Sequence, residues 1–594
     1  MISTRLSCGL LACFLITGCG SDPSQGGGDG GGSDAPAGPV PVSVTIEPQA
    51  PTLTAGGASA ATVDFSAHVT YDDGSEGEAA TAFWTFNRTA LGTMEVATGI
   101  LTASGNEAGK GTVSVRVGDV TATTEVTVKV DKVVLGEGVT EEDAGRFSDA
   151  PATGAPESPV VDYPLTGAVM PSSVAAPLCQ WENGAVGDFY RVVISAGLAQ
   201  VTLYSSHTDT FNLAQPIDGP TWNMLIASAG GEPISFVVDR WSAADEMTYR
   251  SAPVDITVVD ADVRGAIYYW DLSDGKIQRI TDAGRDVVIP SPPKRPGDNK
   301  QCIACHTVSR DGRYMAAELW DGGDFSAVFD LTADLTADPV PMTVQPTKYK
   351  AQFQTFNPDA TRLLTAEGSS ASGSGLFLRD AKTGALVPST GTPLPAAHTS
   401  HPTWSPDGSL IAYIANTDGT WAVDFTVGDL AVIPVTGADA FGPSQVLVPG
   451  AGKAASWPSF SPDSQWIAFA LGVNSRGRNA AGTIFPGSLY LVSRDGGAPV
   501  ALANANGGQE NSHLANFSPF TSGGYFWLLF YTIRDYGNAQ AGTKGAQRRQ
   551  MWVTAIDATP EPGQDPSHVP YWLPGQDVAT QNMSGFWTLA PPPE

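Results

Sequence analysis

The sequence predicts an all-β protein, with two β-sandwiches ahead of a circular array of small sheets. Three observations predict it. Apolar and polar residues alternate with period two in short runs over most of the chain. Turn residues separate the runs, with 66 Gly and 45 Pro in 594 residues. From residue 262 onward a turn block, Ser-Pro-Asp in its two clearest copies, returns every 45 to 60 residues or so, as about one small sheet per repeat requires.

The first 19 residues, MISTRLSCGLLACFLITGC, open with a charge at Arg5. The apolar stretch Leu10 to Ile16 follows and is too short to span a bilayer. Its end, Ile16-Thr17-Gly18-Cys19, resembles the bacterial lipobox. The resemblance implies cleavage before Cys19 and lipidation of that thiol, hence anchoring in the bacterial cell envelope. Gly20 follows where an Asp would signal inner-membrane retention, so the outer membrane is expected, on its periplasmic or surface face. Residues 20–41 are rich in Gly, Ser, Asp and Pro and read as a flexible tether.

Net charge is -29 and the pI is near 4.4, which argues against nucleic acid as a partner. Three of the six cysteines (Cys8, Cys13, Cys19) belong to the leader, so no disulfide-stapled scaffold is expected. Cys179 reads as a buried core thiol.

Residues 42–130 read as the first sandwich. Val42, Val44 and Ile46 alternate, and Phe65 to Tyr71 leads into the turn Asp72-Asp73-Gly74-Ser75. Trp84, the run Gly99-Ile100-Leu101-Thr102-Ala103 and the strand Gly111 to Val115 follow. Together they resemble a bacterial Ig-like (Big) domain, which implies a spacer or adhesive module. His68 lies within a strand and reads as structural.

Residues 131–158 are acidic and rich in Ala, Gly and Pro, and are expected to be a linker. Residues 159–260 are expected to form the second sandwich. Trp181, the strand Phe189 to Ile194, Phe236 to Val238 and the closing run Val254 to Val259 resemble a fibronectin type III-like domain. Trp181, Trp222 and Trp241 read as packing residues, with sugar stacking as the alternative. His207 and His568 stand apart and read as surface residues.

The repeat from 262 to 594 is clearest at Trp404-Ser405-Pro406-Asp407-Gly408, followed by Ile411-Ala412-Tyr413. It returns at Phe460-Ser461-Pro462-Asp463 and, more weakly, at Phe356-Asn357-Pro358-Asp359 and Phe517-Ser518-Pro519. With Leu489-Tyr490-Leu491 and Arg494-Asp495-Gly496-Gly497 between copies, this resembles the blades of TolB-like β-propellers. The resemblance implies a propeller, with six blades as the best count and seven as the alternative. Ile267 to Asp271 supplies outer strands of one blade, closed by an inner strand over Ser584 to Leu589. Asp407 and Asp463 are explained as turn residues.

Inside the repeat, Cys302-Ile303-Ala304-Cys305-His306 spells C-x-x-C-H, the attachment pattern of c-type haem. Two thiols at that spacing add to the two vinyl groups of one haem, and the adjacent His becomes an axial ligand. Val308 to Gly312 occupies the place of Trp404 to Gly408, so the motif replaces the lead-in to an innermost strand. His398, His401 and His513 occupy related positions in other blades. Cys302 and Cys305 are therefore expected to hold one covalent haem c, with His306 as the proximal ligand. His401, then His513, then His398, are the distal candidates. Two imidazoles on the iron point to electron transfer, and an open distal side to peroxidase-like activity.

Alternatives are zinc on the same Cys/His cluster, a Cys302–Cys305 disulfide, and a non-redox scaffold that binds a partner protein or glycan. The expected partners are a redox or envelope protein and, through the anchor, the membrane. No hydrolase elbow, zinc-protease helix or phosphate loop occurs.

Overall fold

A computed structural model describes residues 38–320, 325–370, 373–419, 422–477 and 482–589. The leader, Cys19 and nearly all of the tether lie outside the described residues. Strands dominate, and the described α-helices are short: Glu141–Gly145, Gly219–Ala229 and Ala503–Asn506. None is long and apolar enough to cross a membrane.

The first region packs two three-stranded sheets and one end of an 11-stranded sheet around Trp84, Leu91, Leu101, Val113 and Val126. His68 faces outward on its strand. The closing strand does not stop at residue 130. Val120–Leu135 runs for 16 residues. Its first part pairs antiparallel with Gly109–Val117 and its last part parallel with Ala199–Ser206 of the next region. The segment expected as a linker therefore begins as a strand shared by both regions. Val130, Val133 and Val134 supply the β-branched residues that favour it. The helix Glu141–Gly145 follows, capped by reciprocal Thr140 and Asp143 hydrogen bonds.

The second region is not purely sheet. The helix Gly219–Ala229 packs on it, started by the Asp218 cap and ended by left-handed Gly230. Three of its strand pairings are parallel, including Val169–Pro171 with Val254–Val259. Trp181 and Trp222 are buried, and Arg146 lies 4.5 Å from the half-buried ring of Trp241, so all three pack. Cys179 is fully buried, and burial pushes its thiol up to about 12. His207 is also buried, with its ring bonded to the Tyr190 hydroxyl at 2.8 Å, which corrects the surface reading.

Residues 266–588 form a ring of six sheets. Their inner strands are Asn582–Thr588, Ile303–Val308, Phe353–Phe356, Ser400–Trp404, Ala454–Phe460 and Ser512–Ser522. Each touches the next around the ring, and the last meets the first. The domain is a six-bladed β-propeller. We number the blades 1 to 6 in that order.

The repeat is a turn device. In blade 4 the Ser405 hydroxyl donates to Asp407 at 2.6 Å, and Asp407 accepts the Ser409 amide at 2.9 Å. The Leu410 amide donates to Ser405 Oγ at 2.9 Å, which starts the second strand. Ser309 with Asp311 and Ser461 with Asp463 repeat the bond, so these aspartates are structural.

Blade 1 is closed by the end of the described chain. Asn582–Thr588 pairs antiparallel with Ala266–Asp271. Trp587 is buried against Phe520 of blade 6 at 5.9 Å, and its amide donates to Asn516. Trp587→Ala is expected to cost about 3–5 kcal/mol, read as a lower denaturant midpoint of the propeller transition.

Candidate functional site at the propeller axis

The inner strands carry a repeated irregularity that builds the axis. In blades 1, 4, 5 and 6 two residues bulge against one on the neighbouring strand. The first bulge residue is Ser584, His401, Trp457 or Leu514, and each has a left-handed backbone with φ between 46° and 56°. Pro402 and Pro458 take the second place in blades 4 and 5, where a missing amide costs no ladder bond. In blade 2 the bulge falls one residue earlier, on Ala304 and Cys305. His306 is thereby returned to the ladder opposite Ala317.

A cavity of about 70 Å³ lies on the axis and is lined from all six inner strands. His306, His401 and Cys305 face it. Cys305, Trp457 and Ser584 also line a wider cavity of about 500 Å³. Cys302, Glu318, Arg476, Arg549 and Met583 face this second space. A third cavity of about 110 Å³ lies among the Ser-Pro turns and shares Thr307, Thr355 and Thr403 with the axial one. Both cysteines thus open onto the wide cavity, away from the turns.

His306 is 5% exposed, with its ring edge-on to Phe586 at 5.1 Å. Neither ring nitrogen has a partner in hydrogen-bonding geometry. Burial holds its pKa down at about 4, against a small opposing pull from the Tyr268 backbone, so the ring is neutral at pH 7. His401 is 4% exposed and stacks on Trp457 with centroids 3.7 Å apart. Its Nδ1 accepts the Trp457 amide at 3.4 Å, while its Nε2 has no partner. Burial pushes its pKa far down. Around Cys305, burial first and the Glu318 carboxylate second push the thiol up.

The other two histidines are elsewhere. His398 is exposed, and its Nδ1 bonds the Thr417 carbonyl at 2.9 Å. His513 is 1% exposed, stacks on Tyr531 and lines neither axial cavity. Of the distal candidates, the structure brings His401 alone into the cavity of His306.

Trp457, Glu318, Arg476, Arg549 and Met583 were missed by sequence reasoning. Trp457 was within reach, since His401-Pro402 and Trp457-Pro458 align in the repeat. Among the described residues no group of three or more His, Cys, Asp or Glu stands together as metal ligands. The Cys/His set expected for zinc is therefore not assembled.

No family model and no curated protein matches the chain. Among solved structures, TolB from Acinetobacter baumannii is similar at 12% identity and TM-score 0.36, over 60% of this chain and 80% of that one. A protein described as TolB from Agrobacterium tumefaciens is similar at 16% identity and TM-score 0.29, over 55% and 91%. A Bacteroides thetaiotaomicron protein of unknown function is similar at 11% identity and TM-score 0.26, over 82% and 94%. The blade count rests on strand pairing, not on these similarities.

The buried histidines make stability pH-dependent. Burial, the largest cause, holds His513 at about 4 in the fold, against 6.5 ordinarily. The unfolded chain therefore binds this proton first as pH falls. Stability is expected to be level above pH 6.5 and to drop by about 3 kcal/mol between 6.5 and 4 through this residue. Denaturant titrations at several pH values check it, and His513→Asn should flatten that part of the profile.

Proposed function

We propose that the propeller carries one c-type haem, joined through Cys302 and Cys305, and serves electron transfer in the bacterial envelope. One observation carries the reading. Both cysteines line a single wide cavity at the axis, and the adjoining His306 is buried with both nitrogens unpartnered. Leaving such groups buried and unsatisfied costs about 1–3 kcal/mol each, so the arrangement suits a ligand.

The residues present fit the group. Cys302 and Cys305 supply thiols on one wall. His306 stays neutral at pH 7 and keeps a lone pair for a metal. Trp270, Leu272 and Val423 give the cavity apolar surface. When bound, haem supplies one-electron chemistry, and the protein supplies ligation and electrostatics. The absence of a three-residue metal cluster among the described residues favours haem over zinc, because haem brings four of its own nitrogens.

His401, with Nε2 unpartnered in the cavity of His306, is the proposed second ligand. Two imidazoles leave no open iron site, which favours electron transfer over peroxidase chemistry. Lipidation at Cys19 would tether the whole assembly to the membrane, with a redox or envelope protein as partner.

The chain exported from a host with c-type haem maturation should give a haem-staining band on a denaturing gel and a sharp reduced α-peak. Cys302→Ala or Cys305→Ala should remove the band. His401→Ala should keep the band and convert the spectrum from low-spin to high-spin. An unstained wild-type band and no Soret absorption would sink the reading.

A further inference from the structure

We infer that the turn-side mouth of the axis binds a small oxyanion, held by Arg310 beside a ring of hydrogen-bond donors. The inference is independent of haem.

The ring is written in the repeat. Two residues before each turn block, the inner strands of blades 2 to 6 carry Thr307, Thr355, Thr403, Ser459 and Asn516. All five line the cavity of about 110 Å³ among the turns. Equal places in a propeller repeat stand at one level of the axis, so ring closure gathers them.

The oxygens of this ring are engaged between blades. The Trp404 amide donates to Thr355 Oγ1 at 3.3 Å, the Phe517 amide to Ser459 Oγ at 3.0 Å, and the Trp587 amide to Asn516 Oδ1 at 2.8 Å. Thr355 gives its own hydrogen to the Phe356 carbonyl. Ser459 and Asn516 keep theirs to donate. The Thr307 and Thr403 hydroxyls have no hydrogen-bond partner among the described residues. A ring whose acceptors are taken and whose donors remain suits an anion.

Arg310 supplies the charge. It takes the place that Pro406 holds in blade 4 and Pro462 in blade 5. The turn forms without proline, through the Ser309 bond to Asp311, so its geometry does not require an arginine. Blades 2 and 6 flank blade 1, and the Arg310 guanidinium reaches across to donate to the Pro519 carbonyl of blade 6. It is half-buried and lines the same cavity. Among the described residues no carboxylate pairs with it, and burial alone pulls its pKa down. A guanidinium has several N–H donors and stays charged at pH 7, so one carbonyl leaves it short of acceptors. Its fork matches the paired oxygens of a carboxylate or a phosphate. The cavity suits a ligand of a few heavy atoms.

The test titrates the full chain with acetate, and separately with inorganic phosphate, by calorimetry at pH 7 and low ionic strength. Saturable binding is expected. Acetate alone would assign a carboxylate ligand, phosphate alone a phosphate, and both would assign small oxyanions as a class. Arg310→Pro restores the turn sequence of blades 4 and 5 and should weaken binding at least about tenfold. Thr403→Val is close in shape and should weaken it roughly threefold. That variant keeps the test decisive if Arg310→Pro fails to fold.

Wild-type chain that binds neither ion would overturn the site. Binding by folded Arg310→Pro within about twofold of wild type would overturn it as well. Both results leave the haem reading standing, because the stained band decides that separately.

Discussion

Everything at the axis depends on closing the ring. Blade 1 takes its inner strand, Asn582–Thr588, from the end of the described chain and its other strands from Ala266–Asp271 onward. That pairing joins segments separated by most of the propeller sequence. Closure entropy grows only logarithmically with loop length, so one long-range strand pairing can hold the ring. The closing strand also contributes to the site: Ser584 lines both axial cavities, and Phe586 packs against His306. A loosened closure would therefore open the site and the fold together.

The second constraint is polar burial. Propeller axes are filled by inner-strand side chains, and here those include two imidazoles with unpartnered nitrogens. A fold selected for stability alone would place apolar or bonded groups there. The left-handed bulges compound this, since non-glycine residues in that backbone region are uncommon and His401 and Trp457 both adopt it. At His401 a left-handed backbone and an unpartnered ring nitrogen coincide. That is why the axis is the site at which a ligand is proposed.

The sandwiches hold the propeller firmly instead of trailing from it. Asn538 of blade 6 donates to the carbonyls of Trp181, Asn212 and Leu213 in the second region. Lys544 pairs with Asp162 at 2.8 Å and Glu182 at 2.6 Å, and Tyr163 meets Tyr536 edge-on at 4.9 Å. The strand Val120–Leu135 continues from the first sandwich into the second. The three regions are therefore linked by packing and by shared sheet, and residues 131–158, expected as a linker, carry the end of a strand, the helix Glu141–Gly145 and the short strand Ala152–Thr153.

The sequence by itself determined the all-β class, the sandwich strands, the blade repeat and its closing strand, and the C-x-x-C-H motif. These are local signals: period-two alternation, Ser-Pro-Asp turns and fixed Cys spacing are written in neighbouring residues. Aligning the repeats also put His401 near Cys305. Only the tertiary structure decided which histidines share a cavity, because His398 sits just outside its strand and His513 turns away while His401 lies on a bulge. It alone revealed Glu318, Arg476, Arg549 and Met583 around the cysteines. No motif marks those residues, since they lie on different blades and become neighbours when the ring brings distant strand ends to one axis.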